Sequence, residues 1–238
     1  MKVITAKAFS ELNLKVPWAV DKLVPAYGIS LIFADPKVGK SIMSVQLAHS
    51  LATGASFLDH AVMPHSPERK QWRVLYAQAD LPAMEWAHQL KSLDRVEGWD
   101  TVILEPGALQ QPQIVRELQT VSKPYDFLIL DALLSLFAYP DINSNKVMGH
   151  ALTVIRSLFA GPIWLIHHKR KTQAGIPDRT QQSIIGGVAL GAGVSTLYDL
   201  SPRQLKILGR VISADLQLKR TASGLWFVSQ DEPLGMDL

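Results

Sequence analysis

The chain has 238 residues, of which 47% are hydrophobic and 19% charged, and it contains no cysteine. This composition supports a buried core, and it excludes wholesale disorder, a disulfide framework, a thiolate nucleophile and a Cys-based zinc site. The formal net charge of +3 is too small to indicate a protein coated with basic residues for nucleic acid. No apolar run approaches the roughly 18 residues of a membrane helix, and the N-terminus lacks the layout of a signal peptide. We therefore expect a cytoplasmic protein with no membrane partner.

Short apolar runs alternate with segments of helical period along the first two thirds of the chain. The apolar runs that predict buried strands are 29–33, 73–77, 101–104, 127–130 and 163–166. Apolar residues at helical spacing predict helices over 41–52, 112–118 and 145–159. Continuous apolar strands separated by helices are typical of a parallel sheet covered on both faces.

The last third of the chain has a different pattern, in which short strands follow each other with few residues between them. These predicted strands are 196–200, 204–209, 216–219 and 225–229, and they indicate an antiparallel extension of the sheet. The segments 54–71 and 140–145 are predicted loops. Because no linker or repeat marks a boundary, we expect one domain over 1–238, with a lead-in (1–28), a core (29–200) and a C-terminal β-hairpin extension (201–230).

The segment 29–41 carries a phosphate-binding pattern. A buried strand is followed by a turn and by Gly-Lys-Ser at the start of a helix, as in G-x-x-x-x-G-K-[ST], with Ala34 at the first glycine. Loop N–H groups and the helix start would hold phosphate, Lys40 would add charge and the Ser41 hydroxyl would bind Mg²⁺. A chance Gly-Lys-Ser is the alternative. The predicted nucleotide-binding residues are Ala34, Asp35, Pro36, Lys37, Val38, Gly39, Lys40, Ser41 and Ile42.

A second buried strand, 127–130, ends in Asp131. A P-loop protein needs an acidic residue at such a position to hold the Mg²⁺ ion and its water shell. An aspartate that only caps the strand end is the alternative. Together with the phosphate loop, the position predicts Ser41 and Asp131 as the metal-binding pair.

With these motifs placed, the chain resembles the RecA-like P-loop ATPases, specifically the RepA-like group of plasmid and phage replicative helicases in the AAA_25 family. The segments that carry the resemblance are 16–25, 29–41, 51–54, 74–80, 163–168, 205–210 and 224–226. The resemblance implies an α/β fold with a central, mostly parallel sheet flanked by helices and a C-terminal antiparallel hairpin. It also implies ATP and Mg²⁺ as cofactors and a homo-oligomer such as a hexameric ring.

The resemblance also implies catalytic roles beside Lys40. Asp80 stands where the family has a Glu that polarises the attacking water; it is one methylene shorter, and such a misplacement can cost on the order of a hundredfold in rate. A strand-end cap is an equal alternative for Asp80. His167 and His168 stand where the family senses the γ-phosphate, and one of them, predicted as His167, faces the nucleotide. Ring-forming relatives add an arginine from the next subunit; the candidates are Arg179, Arg203, Arg210 and Arg220, of which Arg210 is preferred.

Residues 169–182 carry four basic residues and one acidic residue, the same net charge as the whole chain. The matching loop of RecA-like proteins contacts single-stranded nucleic acid, so the resemblance implies phosphate contacts that weaken with salt. The segment has no aromatic residue to stack on bases, which favours backbone tracking without sequence readout. A solvated surface loop is the alternative. The predicted nucleic-acid contacts are Lys169, Arg170, Lys171 and Arg179.

Two functional hypotheses follow. The first is an Mg²⁺-ATP-dependent ATPase that couples hydrolysis to single-stranded DNA binding or translocation in replication or recombination. The second is a weakly active or inactive nucleotide-binding switch or accessory protein that controls assembly or a partner. Ala34, Asp80 and the unassigned arginine favour the second hypothesis, whereas Lys40, Ser41 and the basic segment are common to both.

Overall fold

The structure, a computed structural model, describes residues 4–93, 95–139, 144–169 and 187–229. In these ranges strands and helices alternate from β3 to α7 for the most part, and four consecutive strands, β8 to β11, follow. The elements are α1 (Ala6–Ser10), β1 (Trp18–Val20), β2 (Val24–Pro25), β3 (Ile29–Ala34), α2 (Lys40–Thr53), β4 (Val74–Gln78), α3 (Ala83–Leu93), β5 (Asp100–Ile103), a 3₁₀ turn (Ala108–Gln110), α4 (Pro112–Ser122), β6 (Phe127–Asp131), α5 (Leu133–Leu136), α6 (Asn145–Leu158), β7 (Ile163–His168), α7 (Gly187–Gly193), β8 (Thr196–Leu200), β9 (Gln204–Gly209), β10 (Ser213–Arg220) and β11 (Trp226–Val228).

The strands of the described residues form one nine-stranded sheet in the order β11-β10-β9-β8-β3-β7-β6-β4-β5, while β1 and β2 form a separate hairpin. The strands from β8 to β5 in this order pair in parallel. The strands β9, β10 and β11 add to β8 in antiparallel orientation. This arrangement confirms the predicted fold class, a mostly parallel sheet between helices with an antiparallel C-terminal extension.

Each face of the sheet carries its own apolar layer. Successive side chains of a strand point to opposite faces, so Ile32 and Ala34 of β3 pack in the layer of α2 and α3, whereas Leu31 and Phe33 pack in the layer of α4, α5, α6 and α7. The central strands are therefore buried on both sides. This two-sided burial explains why they read as continuous apolar runs and not as alternating ones.

Helix α2 has a glycine next to each end and is hydrogen-bonded to the sheet in its middle. Gly39 (φ 104°) precedes its first residue, and Gly54 (φ 82°) closes its end by donating its N–H to the Ser50 carbonyl at 2.8 Å. Glycine takes these left-handed conformations without the Cβ penalty of other residues. In its middle, the Ser44 hydroxyl accepts a hydrogen bond from Trp164 Nε1 of β7 at 2.9 Å. The helix that follows the phosphate loop is thus held in one position.

The element boundaries differ from the predicted ones mainly where side chains are polar. Strand β10 begins at Ser213, before the predicted 216–219, because its first residues are exposed and give no apolar run. The short elements α1, β1, β2, α5 and α7 were not predicted from periodicity, since none is longer than 7 residues. Of the predicted loop 140–145, residues 140–143 lie outside the described ranges. No helix in the described ranges has the length and apolar character to cross a membrane.

A charged cluster around Asp126 joins the start of β6 to the segment before β4. The Asp126 carboxylate accepts hydrogen bonds from the Arg73 backbone N–H at 2.8 Å and from the Arg73 guanidinium, and it lies 2.6 Å from Arg69 Nη1. His65 Nε2 is 3.4 Å away. Burial by itself raises the pKa of Asp126, but these hydrogen bonds outweigh it and hold the pKa well below its usual range.

We predict that Asp126→Asn lowers the free energy of unfolding by about 1–3 kcal/mol at pH 7, because a mostly buried carboxylate with charged partners is lost. Since the folded pKa is depressed, this stability is present above the unfolded carboxyl pKa of about 3.9 and is lost as pH falls. Urea unfolding between pH 3 and pH 7 should show the difference from wild type shrinking below about pH 4. Glu97→Gln, on the surface, is the control; equal effects of both changes would contradict the role of the cluster.

Candidate functional site

The phosphate loop connects β3 to α2 at the carboxyl edge of the sheet. Ala34 ends β3 in extended backbone, and the positive φ values of the loop belong to Lys37 (65°) and Gly39 (104°). The alanine at the first motif position therefore needs no left-handed conformation and causes no backbone strain. The start of α2 directs its free N–H groups toward this loop, which is the arrangement that binds phosphate.

Lys40 lies folded over the loop, with an exposed fraction of 6%. Its ammonium donates hydrogen bonds to the carbonyls of Ala34 at 3.2 Å and Asp35 at 3.0 Å. Burial lowers the pKa of Lys40, while Asp131, Asp80 and Asp35 oppose this shift. The ammonium thus stands in a partly desolvated position among carboxylates, where phosphate oxygens could replace the two carbonyls as its partners.

Asp131 ends β6 in the interior, with an exposed fraction of 1%. Its Oδ2 accepts a hydrogen bond from the Tyr76 hydroxyl at 2.7 Å and lies 3.5 Å from Gln78 Nε2. Burial raises the pKa of Asp131 to about 6, although hydrogen bonding by Tyr76 and Ser41 and the charge of Lys40 oppose the increase. Tyr76 therefore fixes one oxygen of the carboxylate, and the Ser41 hydroxyl acts on both Asp131 and Tyr76.

The pair Ser41–Asp131 fits an Mg²⁺ ion. The Oδ1 atom of Asp131 is buried and has no hydrogen-bond partner in the part of the chain that the structure describes. In the same part, no group of three or more His, Asp or Glu could hold a metal ion by itself. Mg²⁺ is usually bound by one or two protein oxygens together with waters and nucleotide phosphates, so Ser41 and Asp131 would supply the protein share. When bound, the ion would neutralise charge on the β- and γ-phosphates.

Asp80 follows β4 at the same edge, and its carboxylate is exposed. Ser135 Oγ of α5 donates to its Oδ1 at 2.6 Å, and Gln78 Oε1 accepts from the Asp80 backbone N–H at 2.6 Å. The charge of Asp80 reaches both Lys40 and Asp131. A carboxylate that is exposed, fixed by a hydroxyl and close to the phosphate-binding lysine can orient a water molecule.

The two histidines at the end of β7 face opposite layers. His167 lies on the same face of β7 as Leu165 and is completely buried in the layer of α5 and α6. His168 is paired with Ala34 in the sheet, and burial, followed by the charge of Lys40, lowers its pKa, with Asp80 opposing. The structure thus brings His168, and not the predicted His167, to the phosphate loop. A sensor of the γ-phosphate must reach the loop, and of the two histidines His168 has that position.

Lys169 lies within the fold. Its ammonium is 2.7 Å from Asp199 Oδ1, and the two side chains are 12% and 11% exposed. It also lies 5.8 Å from the centre of the Phe33 ring. In this structure the ammonium is engaged with a carboxylate, so a DNA phosphate would have to replace Asp199 as its partner. The other predicted nucleic-acid contacts, Arg170, Lys171 and Arg179, lie outside the described residues.

Arg210 lies at the opposite edge of the sheet from the phosphate loop. It follows Gly209, which pairs with Thr196, and Thr196 pairs with Ser30 near the start of β3. Its side chain donates to the Ala192 carbonyl at 3.4 Å. In its own chain Arg210 lies away from the loop, and its predicted role, an arginine supplied to the site of the next subunit, stays a prediction. Of the arginine candidates within the described residues, Arg220 is the one that lies against the loop. No local sequence pattern marks Arg220, because folding of the chain creates this contact.

The fold and the loop define a RecA-like P-loop ATPase class. The chain belongs to the AAA_25 family, described as an AAA domain, whose model matches residues 5–174. The match includes the phosphate loop, Asp80, Asp131 and both histidines, whereas the C-terminal strands lie beyond it. Membership of this family supports a nucleotide-binding ATPase, for which ATP and Mg²⁺ are the general cofactors.

The overall structure is similar to the KaiC-like protein of the hyperthermophilic archaeon Pyrococcus horikoshii OT3. The TM-score is 0.57 at 11% sequence identity, and the match covers 89% of this chain and 93% of that chain. At this identity the similarity shows the RecA-like fold alone. No curated protein sequence matches the chain.

We predict that Asp131→Asn stabilises the nucleotide-free protein at neutral pH by about 1–2 kcal/mol, because it removes a buried charge. The folded pKa of Asp131, about 6, lies above the unfolded value, so its contribution to stability falls as pH rises between about pH 4 and pH 6. Urea unfolding should show that the variant lacks this decrease. Asp59→Asn, which alters an exposed carboxylate, serves as control. A variant that is less stable than wild type at pH 7.5 would contradict the prediction.

Proposed function

We propose that this chain is an Mg²⁺-dependent ATP hydrolase that couples turnover to single-stranded DNA binding or translocation in replication or recombination. The observation that carries the hydrolase part is the convergence of Lys40, Asp80, Asp131 and His168 at the carboxyl ends of four neighbouring strands. These side chains come from β3, β4, β6 and β7 or the residues next to them, and their charges act on one another. Open parallel sheets bind ligands at this edge.

Each residue has a defined part in the proposed reaction. Lys40 binds the β- and γ-phosphates in exchange for the carbonyls of Ala34 and Asp35, and the loop N–H groups hold the remaining phosphate oxygens. Ser41 and Asp131 supply the protein ligands of the ion. Asp80 accepts a hydrogen bond from the attacking water and aligns it with the γ-phosphate. His168, kept neutral by burial and by Lys40, donates a hydrogen bond to a γ-phosphate oxygen.

The second candidate function, a nucleotide-dependent switch with little turnover, is favoured by the surroundings of Asp80. Its carboxylate is one methylene shorter than the glutamate of the family, and Ser135 already donates to Oδ1 at 2.6 Å. Both features hold the carboxylate back from the loop, which slows attack by water but leaves nucleotide binding intact. Changing the length of the side chain at position 80 therefore distinguishes the hydrolase from the nucleotide-dependent switch.

We predict that wild type hydrolyses ATP slowly, that Lys40→Ala and Asp80→Asn each lower kcat by about 100-fold or more, and that Asp80→Glu raises it by up to about tenfold. The added methylene brings the carboxylate closer to the attacking water, while Asp80→Asn keeps the shape and removes the base. Steady-state turnover with Mg²⁺, together with ATP affinity for each variant, measures these effects. If wild type and Asp80→Glu bind ATP equally well and neither hydrolyses it, the result favours the nucleotide-dependent switch.

Coupling to DNA is proposed from the basic segment that continues β7 directly after His168 and Lys169. A strand whose end senses the γ-phosphate is well placed to transmit the nucleotide state to the residues that follow it. Lys169 anchors the start of that segment through Asp199, which leaves Arg170, Lys171 and Arg179 for phosphate contacts. The proposal includes a homo-oligomer such as a hexameric ring, in which Arg210, remote from its own loop, would serve a neighbouring copy.

We predict that replacing Arg170, Lys171 and Arg179 together by alanine weakens single-stranded DNA binding strongly and lowers the salt slope by about two, because each phosphate contact contributes about 0.7. ATP affinity should stay unchanged. Lys169→Met should instead lower thermal stability, since Asp199 loses its ion pair, and leave DNA affinity intact. Fluorescence anisotropy with a labelled oligonucleotide at several salt concentrations measures both. Undiminished DNA binding by the triple variant would contradict the role of the segment.

A further inference from the structure

The hairpin β10–β11 brings the Arg220 guanidinium against the phosphate loop. A Cβ atom built on Gly39 would collide with Arg220 Nη2 and would lie 3.0 Å from Arg220 Cζ. The guanidinium therefore occupies the space directly over the Cα of the residue that precedes Lys40. The positive φ favours glycine at position 39, and a Cβ atom there would displace the guanidinium.

Contacts of Trp226 keep Arg220 at this place. The Arg220 Cζ atom lies 4.2 Å from the centre of the Trp226 ring, a cation–π distance. Trp226 Nε1 donates to the Gly39 carbonyl at 3.3 Å. The backbone of Trp226 exchanges two hydrogen bonds with the Gln46 side chain of α2, at 2.8 and 3.0 Å. The hairpin and the phosphate loop are thus joined through one tryptophan, and the arginine lies on it.

Arg220 differs from the paired cations of the fold in its charge balance. Arg73 and Lys169 each have a carboxylate partner, whereas Arg220 has no carboxylate partner within the described ranges. The residue is exposed overall, and burial of part of its side chain lowers its pKa. A partly desolvated cation without a counter-ion gains most from an anion brought to it. The ligand that binds beside Gly39 in a phosphate loop is an anion of this kind.

We propose that Arg220 is a nucleotide-binding residue of its own chain and donates hydrogen bonds to the diphosphate portion that ATP and ADP share. The inference rests on the proposed nucleotide binding and deepens it. The γ-phosphate side of the site is defined by Lys40, where the charges of Asp131 and Asp80 act. Arg220 reaches the loop at Gly39, on the side of Trp226 and α2. A guanidinium that approaches from there contacts the phosphates nearest the start of the helix.

The test compares ADP and ATP affinity in variants of position 220. Arg220→Met keeps an unbranched stem on the Trp226 ring without the charge, and we expect both nucleotides to bind about 10- to 100-fold more weakly. Arg220→Lys keeps the charge and should stay within a few-fold of wild type. Arg116→Met, at an exposed position of α4, is the matched control and should bind as wild type. Arg220→Gln is a second neutral variant, which shows whether weaker binding by Arg220→Met is caused by misfolding of that variant.

Several results would overturn the inference. Wild-type affinity in both neutral variants would remove Arg220 from the site, and a loss for ATP alone would place it at the γ-phosphate. Mixing Arg220→Met with Lys40→Ala tests for action between chains: restored ADP binding in the mixture would show that Arg220 serves a neighbouring copy. If wild type binds neither nucleotide, both the proposed function and this inference are wrong. If wild type binds nucleotide and Arg220→Met binds it equally well, only the inference is wrong.

Discussion

Asp131 ends a strand that is covered on both faces, and its carboxylate has to exist in an interior that disfavours charge. Burial raises its pKa to about 6, and Tyr76, Ser41 and Lys40 limit the increase. The same burial lowers the pKa of Lys40, which the carboxylates oppose. The two groups therefore moderate each other's desolvation, and each would cost more alone. An Mg²⁺–nucleotide complex would satisfy both at once, since it offers a cation to Asp131 and phosphate oxygens to Lys40.

The antiparallel extension takes part in the site through its last hairpin. Strands β9 and β10 carry the sheet away from β3, but β11 returns to α2, where the Gln46 side chain binds the Trp226 backbone. The indole of Trp226 then supports both the Gly39 carbonyl and the Arg220 guanidinium. A phosphate loop has to keep its N–H groups aligned without a ligand. In this chain the support for that alignment comes from a residue 180 to 187 positions away in sequence.

The sequence predicts what depends on neighbours in the chain. Apolar runs buried on two sides give the parallel strands, and the Gly-Lys-Ser pattern locates the loop, because both are local properties. The choice between His167 and His168 depends on which face of β7 meets α2, and strand alternation alone leaves that choice open. Arg220 gives no local signal, because its contact with Gly39 requires the complete sheet. For Lys169 the sequence offers one hint, Asp199, because a charged residue inside a mostly buried strand requires a partner.

The basic residues of the described fold divide according to their carboxylate partners. Arg69 and Arg73 share Asp126, and Lys169 has Asp199; such pairs hold segments together, and a phosphate would compete with them at a cost. Lys40 is surrounded by carboxylates but donates its hydrogen bonds to carbonyls, so it can exchange partners without leaving a carboxylate bare. Arg220 stacks on an indole and has no carboxylate partner among the residues that the structure describes. Net charge alone would rank these cations equally, whereas their partners indicate that Lys40 and Arg220 are the ones that an incoming polyphosphate can recruit without breaking an ion pair.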